Sequence, residues 1–216
     1  ISYQTYVDKL LLSKCDNFPV VFIFLVDQSG SMEGEPMEIV KKALLWFLQS
    51  LPEGSYYQII GFGSYFKKYD RTPKKYTQEN IDLSILIIKS MKANFNATNL
   101  YDPLENIYES DSYNDINLER KIFILTDWEV VDKDKTLDII EKNRDKFSIH
   151  AIGVGEEFDE DLIRQAGTLG KGNYSFCKDF NELNSTIVNK INNATKPCIK
   201  KVNIEMSNQI KNLKYT

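Results

Sequence analysis

Apolar positions along the chain alternate between continuous runs and helical stripes. Val20–Val26 is an unbroken β-branched and aromatic run, the pattern of a strand covered on both faces. Gly30 and Gly34 mark a turn, and Pro36 suits the first turn of a helix. Met37, Val40, Leu44, Phe47, Leu48 and Leu51 then fall on one helical stripe, which Pro52-Glu53-Gly54 ends. Tyr57–Phe62 predicts a second strand and Tyr65–Tyr69 a short edge strand or hairpin partner. Thr77 is placed to cap a helix carrying Ile81, Ile85, Ile88 and Met91. After a polar loop at Asn94–Asn99, Asp102-Pro103 opens a short helix through Tyr108, and Glu109–Asn117 reads as an acidic surface loop. Lys121–Leu125, Phe147–Val154 and Asn173–Cys177 predict three more strands. Between them lie helices with Leu137, Ile140 and Arg144 behind a cap at Asp132 or Asp134, and with Leu162, Ile163 and Ala166 behind Asp159. Asp179 with Glu182 forms a capping-box pattern for a last helix on Phe180, Leu183, Ile187 and Ile191.

Strands that alternate with helices predict a doubly wound α/β fold: a mostly parallel six-stranded sheet with helices on both faces. In such sheets ligands bind beyond the carboxyl ends of the strands. Composition narrows what can happen there. The 216 residues are 42% apolar and 27% charged, as expected of a packed globular chain, and the net charge is −4 from 27 basic and 31 acidic groups. A mildly acidic chain without clustered arginine argues against nucleic acid as a partner. Three cysteines without CxxC spacing and a single histidine, His150, exclude a disulfide scaffold and poly-histidine metal sites. The longest apolar run, Phe18–Val26, is too short to span a bilayer. Because the chain begins at Ile1 rather than Met, it is expected to be part of a longer protein.

The chemistry available at the strand ends is oxygen chemistry. The first strand ends in Asp27-Gln28-Ser29-Gly30-Ser31, the strand at Lys121–Leu125 ends in Thr126-Asp127, and Thr98 lies in the loop between them. Two carboxylates and three hydroxyls are hard ligands, suited to Mg²⁺ or Mn²⁺ in octahedral geometry with water completing the shell.

These residues carry a resemblance. The order D-x-S-x-S, Thr, T-D, at Asp27, Ser29, Ser31, Thr98 and Asp127, resembles the metal-ion-dependent adhesion site of von Willebrand factor type A domains. The stretches FLVDQSGSM, ALLWFLQSLPEGSYYQIIGFGS and ATNLYDPLENIY look most like the subgroup found beside a VIT domain, which includes inter-alpha-trypsin inhibitor heavy chains and von Willebrand A domain-containing protein 5A. The resemblance covers roughly residues 17–196. It implies a Rossmann-like fold and a non-enzymatic module for adhesion or scaffolding. In that module the five residues hold the metal, which recruits an Asp or Glu carboxylate from a partner protein. Met32, Glu33, Asn99, Tyr101, Trp128 and Glu129 would then line the partner face. Residues 1–16 would be a leading segment or the end of a preceding domain. Residues 197–216 would start a following β-rich region, so neighbouring domains of the same chain are expected partners too. The subgroup's intracellular members favour a cytoplasmic location with free thiols. A Cys15–Cys198 bridge, as in some extracellular members, would indicate the opposite. Two positions depart from the family pattern, Asn96-Ala97 before Thr98 and Trp128 after Asp127, and either can distort a loop that usually holds glycine.

Other readings of the same residues remain. A metal-free interaction scaffold with a degenerate site fits the fold equally, and Asp27 with Asp127 could serve an Mg²⁺-dependent phosphohydrolase, although Ser29 stands where such enzymes want a second aspartate. Gly61-Phe62-Gly63 and Gly153-Val154-Gly155 lack the full dinucleotide fingerprint and read as strand-terminal turns. Asp132-Lys133-Asp134 starts like a calcium loop but has Leu137 where glycine is needed. His150 sits in an apolar strand and is expected to be a packed structural residue. Sequons at Asn96, Asn173, Asn184 and Asn193 exceed the roughly two that chance gives in so Asn-rich a chain, which is thin evidence for secretion.

Overall fold

A computed structural model describes residues 19–178, apart from residues 115, 117, 128 and 157. Among the described residues seven strands form one sheet: β1 (Val20–Asp27), β2 (Tyr56–Phe62), β3 (Phe66–Lys68), β4 (Lys74–Lys75), β5 (Glu119–Thr126), β6 (Ser148–Val154) and β7 (Asn173–Cys177). The strand order is β3-β2-β1-β5-β6-β7, with β4 also paired to β2. Five helices connect them: α1 (Glu35–Gln49), α2 (Gln78–Ser90), α3 (Tyr101–Glu109), α4 (Lys133–Asn143) and α5 (Glu160–Leu169).

β1 lies at the centre, parallel to β2 on one side and β5 on the other. All eight of its residues are buried, which is why its apolar run is continuous rather than alternating. Phe22, Phe24 and Val26 pack with α1 and α2 through Leu44, Phe47, Ile81 and Ile88. Val21, Ile23 and Leu25 face the opposite layer, formed by Leu104, Ile107, Ile140 and Leu162 of α3, α4 and α5. One strand thus feeds two cores. Phe22, Phe24, Phe47 and Phe123 form an aromatic cluster in the first, with centroids 5.0–6.4 Å apart.

The fold is the expected doubly wound α/β sheet, with differences of detail. β4 is the strand beyond the expected six; it and β3 pair antiparallel with different parts of β2, so the segment after β2 covers that edge twice. The acidic stretch after α3 is not simply a surface loop. It makes a 3₁₀ turn at Asp111–Tyr113, and the buried Tyr113 donates its hydroxyl to Gln58 Oε1 on β2 at 2.5 Å. Thr77 and Asp159 cap α2 and α5, accepting from Asn80 N at 3.3 Å and Leu162 N at 3.0 Å. Asp132 holds the N-cap position of α4 in a left-handed conformation (φ 58°), but its carboxylate bonds Lys135 instead of capping. Gly61 and Gly153 lie inside β2 and β6 rather than in turns after them. His150 is buried and stacks on Phe123 at 4.5 Å, the packed role expected of it. The predicted last helix, both terminal segments, and Cys15 and Cys198 fall outside the described residues. Among the described residues, no helix is long and apolar enough to cross a membrane.

Candidate metal centre

The register of β1 against β5 pairs Val26 with Leu125, so Asp27 and Thr126 leave adjacent strands at the same level. Thr126 Oγ1 donates a short hydrogen bond to Asp27 Oδ2. The chain then turns tightly enough for the Ser29 amide to reach Asp27 Oδ1 at 2.8 Å. A 3₁₀ turn at Gly30–Met32 follows and brings Ser31 Oγ to 3.0 Å from Ser29 Oγ. Asp27 and Ser29 are buried while Ser31 is exposed, so this group of oxygens has a closed floor and an open side.

Backbone bonds join the remaining expected residues to this loop. Gly30 N donates to Asn96 O at 2.8 Å and Phe95 N to Gln28 O at 2.8 Å, which docks the Thr98 loop against the Asp27–Ser31 loop. Thr98 O accepts from Val131 N at 3.0 Å and so fastens the segment after Asp127 to the same loop. Asp127 Oδ1 accepts from Glu129 N at 3.2 Å. Ala97, one of the two departures from the family pattern, is accommodated. The left-handed conformation falls on Asn96 (φ 63°), a residue type that tolerates it, and Ala97 is exposed with its amide donated to Ser64 Oγ at 3.0 Å. Trp128, the second departure, lies outside the described residues.

Electrostatics tests whether this donor set fits a cation. Burial pushes the Asp27 carboxyl up to about 6, against the pull of hydrogen bonds from Ser29 and Thr126, and the Asp127 charge adds to the rise. Among the described residues, no lysine or arginine forms an ion pair with Asp27 or Asp127. A buried carboxylate with a second one nearby and no cation is costly by itself. A divalent ion would supply the missing charge, and the surrounding hydroxyls would complete a hard-oxygen shell. The described residues hold no cluster of three or more His, Cys, Asp or Glu, so the donor set here depends on hydroxyls.

The expected partner-facing residues divide. Glu33 and Glu129 are exposed, and Asn99 and Tyr101 are partly so. Asn99 is committed to the start of α3, accepting from Asp102 N at 3.2 Å, and Tyr101 donates to Glu105 along the same helix at 2.7 Å. Met32 does not belong to that face. The 3₁₀ turn folds its side chain inward, where it is fully buried in the core beside α1. Two residues that were not expected at the centre are part of it: Thr126, legible only as the companion of Asp127 in the T-D pair, and Gln28, which the sequence offers merely as a spacer.

With the geometry in place, comparison with known proteins is decisive for the family. A model of the von Willebrand factor type A domain matches residues 21–176. The chain belongs to the von Willebrand factor type A family. A von Willebrand factor A domain-containing protein of Dictyostelium discoideum is 34% identical over 194 residues, covering 89% of this chain and 22% of that protein. Mouse von Willebrand factor A domain-containing protein 5A is 34% identical over 165 residues, covering 72% of this chain and 20% of its own length. The chain therefore spans about a fifth of the length of these relatives. Among solved structures, proximal thread matrix protein 1 of the mussel byssus, with a zinc-occupied MIDAS motif, superposes with a TM-score of 0.68. It is 16% identical, covering 83% of this chain and 48% of that one. Manganese-loaded TRAP protein of Plasmodium vivax superposes with a TM-score of 0.60 at 21% identity, covering 85% of this chain and 76% of its own. At such identities these structures speak for the fold of this von Willebrand factor type A domain. The family's domains are protein-interaction modules.

Proposed function

We propose that this domain binds a protein partner through a divalent metal, with Asp27, Ser29, Ser31, Thr98 and Asp127 as the ligand set and Mg²⁺ or Mn²⁺ as the ion. The observation that carries the reading is the buried Asp27 carboxylate, raised by burial and without a cationic partner among the described residues, beside two serine hydroxyls 3.0 Å apart, the buried Ser29 and the exposed Ser31. The metal would supply Lewis acidity toward a carboxylate. The chain's own residues hold and orient it: Thr126 and the Ser29 amide fix the Asp27 oxygens, and the 3₁₀ turn presents Ser31. Three of the five proposed ligands are neutral, so positive charge is left for an Asp or Glu side chain of the partner. Metal-bearing relatives of the fold, the zinc-occupied and manganese-loaded proteins above, support the reading by likeness.

The role proposed is binding rather than catalysis. The single histidine is buried inside β6 and stacked on Phe123, three residues before Thr126 at the end of β5. The test is affinity capture of partners from source cells by the wild-type chain and by Asp27→Ala, in Mg²⁺ and in EDTA. Proteins retained by the wild type in Mg²⁺ and lost both in EDTA and with the variant are the expected result. Partners retained equally in EDTA would point instead to a metal-free scaffold.

A further inference from the structure

Gln28 stands between the first two proposed ligands, yet it is as buried as they are. Each of its polar groups is used in a different direction. Its amide donates to Phe62 O at the end of β2 at 2.8 Å, and its carbonyl accepts from Phe95 N at 2.8 Å, on the way to Thr98. Its side-chain Nε2 donates to Lys92 O just after α2 at 2.9 Å. Its Oε1 accepts from the hydroxyl of Tyr69, just after β3, at 2.8 Å. Room for the carboxamide comes from β2, because a Cβ on Gly61 would lie 1.9 Å from Gln28 Oε1. A loop glutamine with no structural task would leave this carboxamide in water. Here burial is offset only because both ends are bonded.

We propose that Gln28 is a positioning residue for the metal centre. Its carboxamide, clamped between Tyr69 and Lys92, fixes the peptide that carries Asp27 on one side and Ser29 on the other. Its backbone carbonyl sets the distance from that peptide to the Thr98 loop. Metal sites require their ligands to be held within about 0.5 Å of productive geometry, and loosening the groups that hold them typically costs about 10–100-fold in affinity. The clamp also ties the centre to the β3 edge of the sheet, so Tyr69 contributes to metal affinity without being a ligand.

This inference rests on the proposed metal site, and the experiment separates the two. Mn²⁺ is titrated calorimetrically into the full chain as wild type, Asp27→Ala, Gln28→Met and Tyr69→Phe, with thermal melts of each in EDTA. Gln28→Met keeps the volume beside Gly61 but removes both side-chain bonds, whereas Tyr69→Phe removes a single hydroxyl. The expected result is Mn²⁺ affinity about tenfold weaker in Tyr69→Phe, and weaker still in Gln28→Met, for chains that remain folded at the temperature of measurement. A merely structural Gln28 would lower melting temperatures and leave affinity unchanged. Wild-type affinity in a folded Gln28→Met and in Tyr69→Phe overturns the inference while leaving the site standing. If Gln28→Met does not fold, Tyr69→Phe decides alone. Binding absent from the wild type, or unaffected in Asp27→Ala, overturns the site and the inference with it.

Discussion

Ser29 Oγ and Ser31 Oγ stand 3.0 Å apart, one buried and one exposed, on a loop whose first residue is a buried aspartate. The separation is set by a 3₁₀ turn rather than by chance side-chain placement, because Met32 anchors the end of that turn in the core. Ser31→Ala therefore removes a candidate ligand from a surface position. Exposed substitutions of this kind usually change stability by less than about 0.5 kcal/mol. Mg²⁺ affinity should fall at least about tenfold, read by calorimetry, with the EDTA melting temperature essentially unchanged. A ligand role for Ser31 is refuted if affinity holds.

Asp27 predicts the pH dependence. Its carboxyl is raised from 3.8 to about 6 by burial. The folded chain therefore binds a proton more tightly than the unfolded chain, and metal-free stability falls as pH rises from about 4 to about 6 and stays low above it. Urea unfolding in EDTA should show the wild type more stable at pH 5 than at pH 7 by on the order of 1 kcal/mol relative to Asp27→Asn. With saturating Mg²⁺ the trend reverses, because the ion requires the ionised carboxylate. A wild type and an Asp27→Asn variant with the same pH profile in EDTA would show that Asp27 does not titrate as its burial implies.

Burial takes Met32 out of the proposed partner face. Its side chain is fully buried in the core beside α1. Met32→Ala should cost about 2–5 kcal/mol by cavity formation, whereas Glu33→Ala, one residue on and exposed, should cost almost nothing. Equal melting temperatures for the two variants would return Met32 to the surface.

Tyr113 tests the turn after α3. Tyr113→Phe leaves Gln58 Oε1 on β2 without the hydroxyl that now donates to it. An unpaired buried acceptor costs about 1–3 kcal/mol. Denaturant unfolding of the variant should show a loss in that range without altered metal affinity. A neutral result would mean that water replaces the bond.

The sequence was most legible where a single periodicity decided the outcome. Val20–Val26 had to be a doubly covered strand, so Asp27 had to stand at its carboxyl end, and the hydroxyls two and four residues on were visible as a group. The direction of Met32 is not legible in the sequence, because it depends on the 3₁₀ turn, which the hydrophobic pattern does not encode. Tyr113 was missed because one aromatic among Asp, Ser and Asn carries no stripe, and its burial comes from a partner far away in sequence at Gln58. Gln28 was invisible for a similar reason. A glutamine between two proposed ligands looks like a solvated spacer, and only the arrival of Tyr69, Lys92 and the bare backbone of Gly61 from three other elements makes it an anchor. Gly61 and Gly153, whose G-x-G stretches lack a full dinucleotide fingerprint and so read as strand-terminal turns, instead make room for side chains, Gln28 in one case and Ile163 in the other.

Everything proposed here depends on Asp27 and its neighbouring hydroxyls forming a divalent-metal site. Calorimetric titration of Mn²⁺ into the wild-type chain and into Asp27→Asn tests it most directly. The expected result is one ion bound per wild-type chain and affinity at least about a hundredfold weaker, or none, in the variant. No binding by the wild type, or equal binding by both, would contradict it.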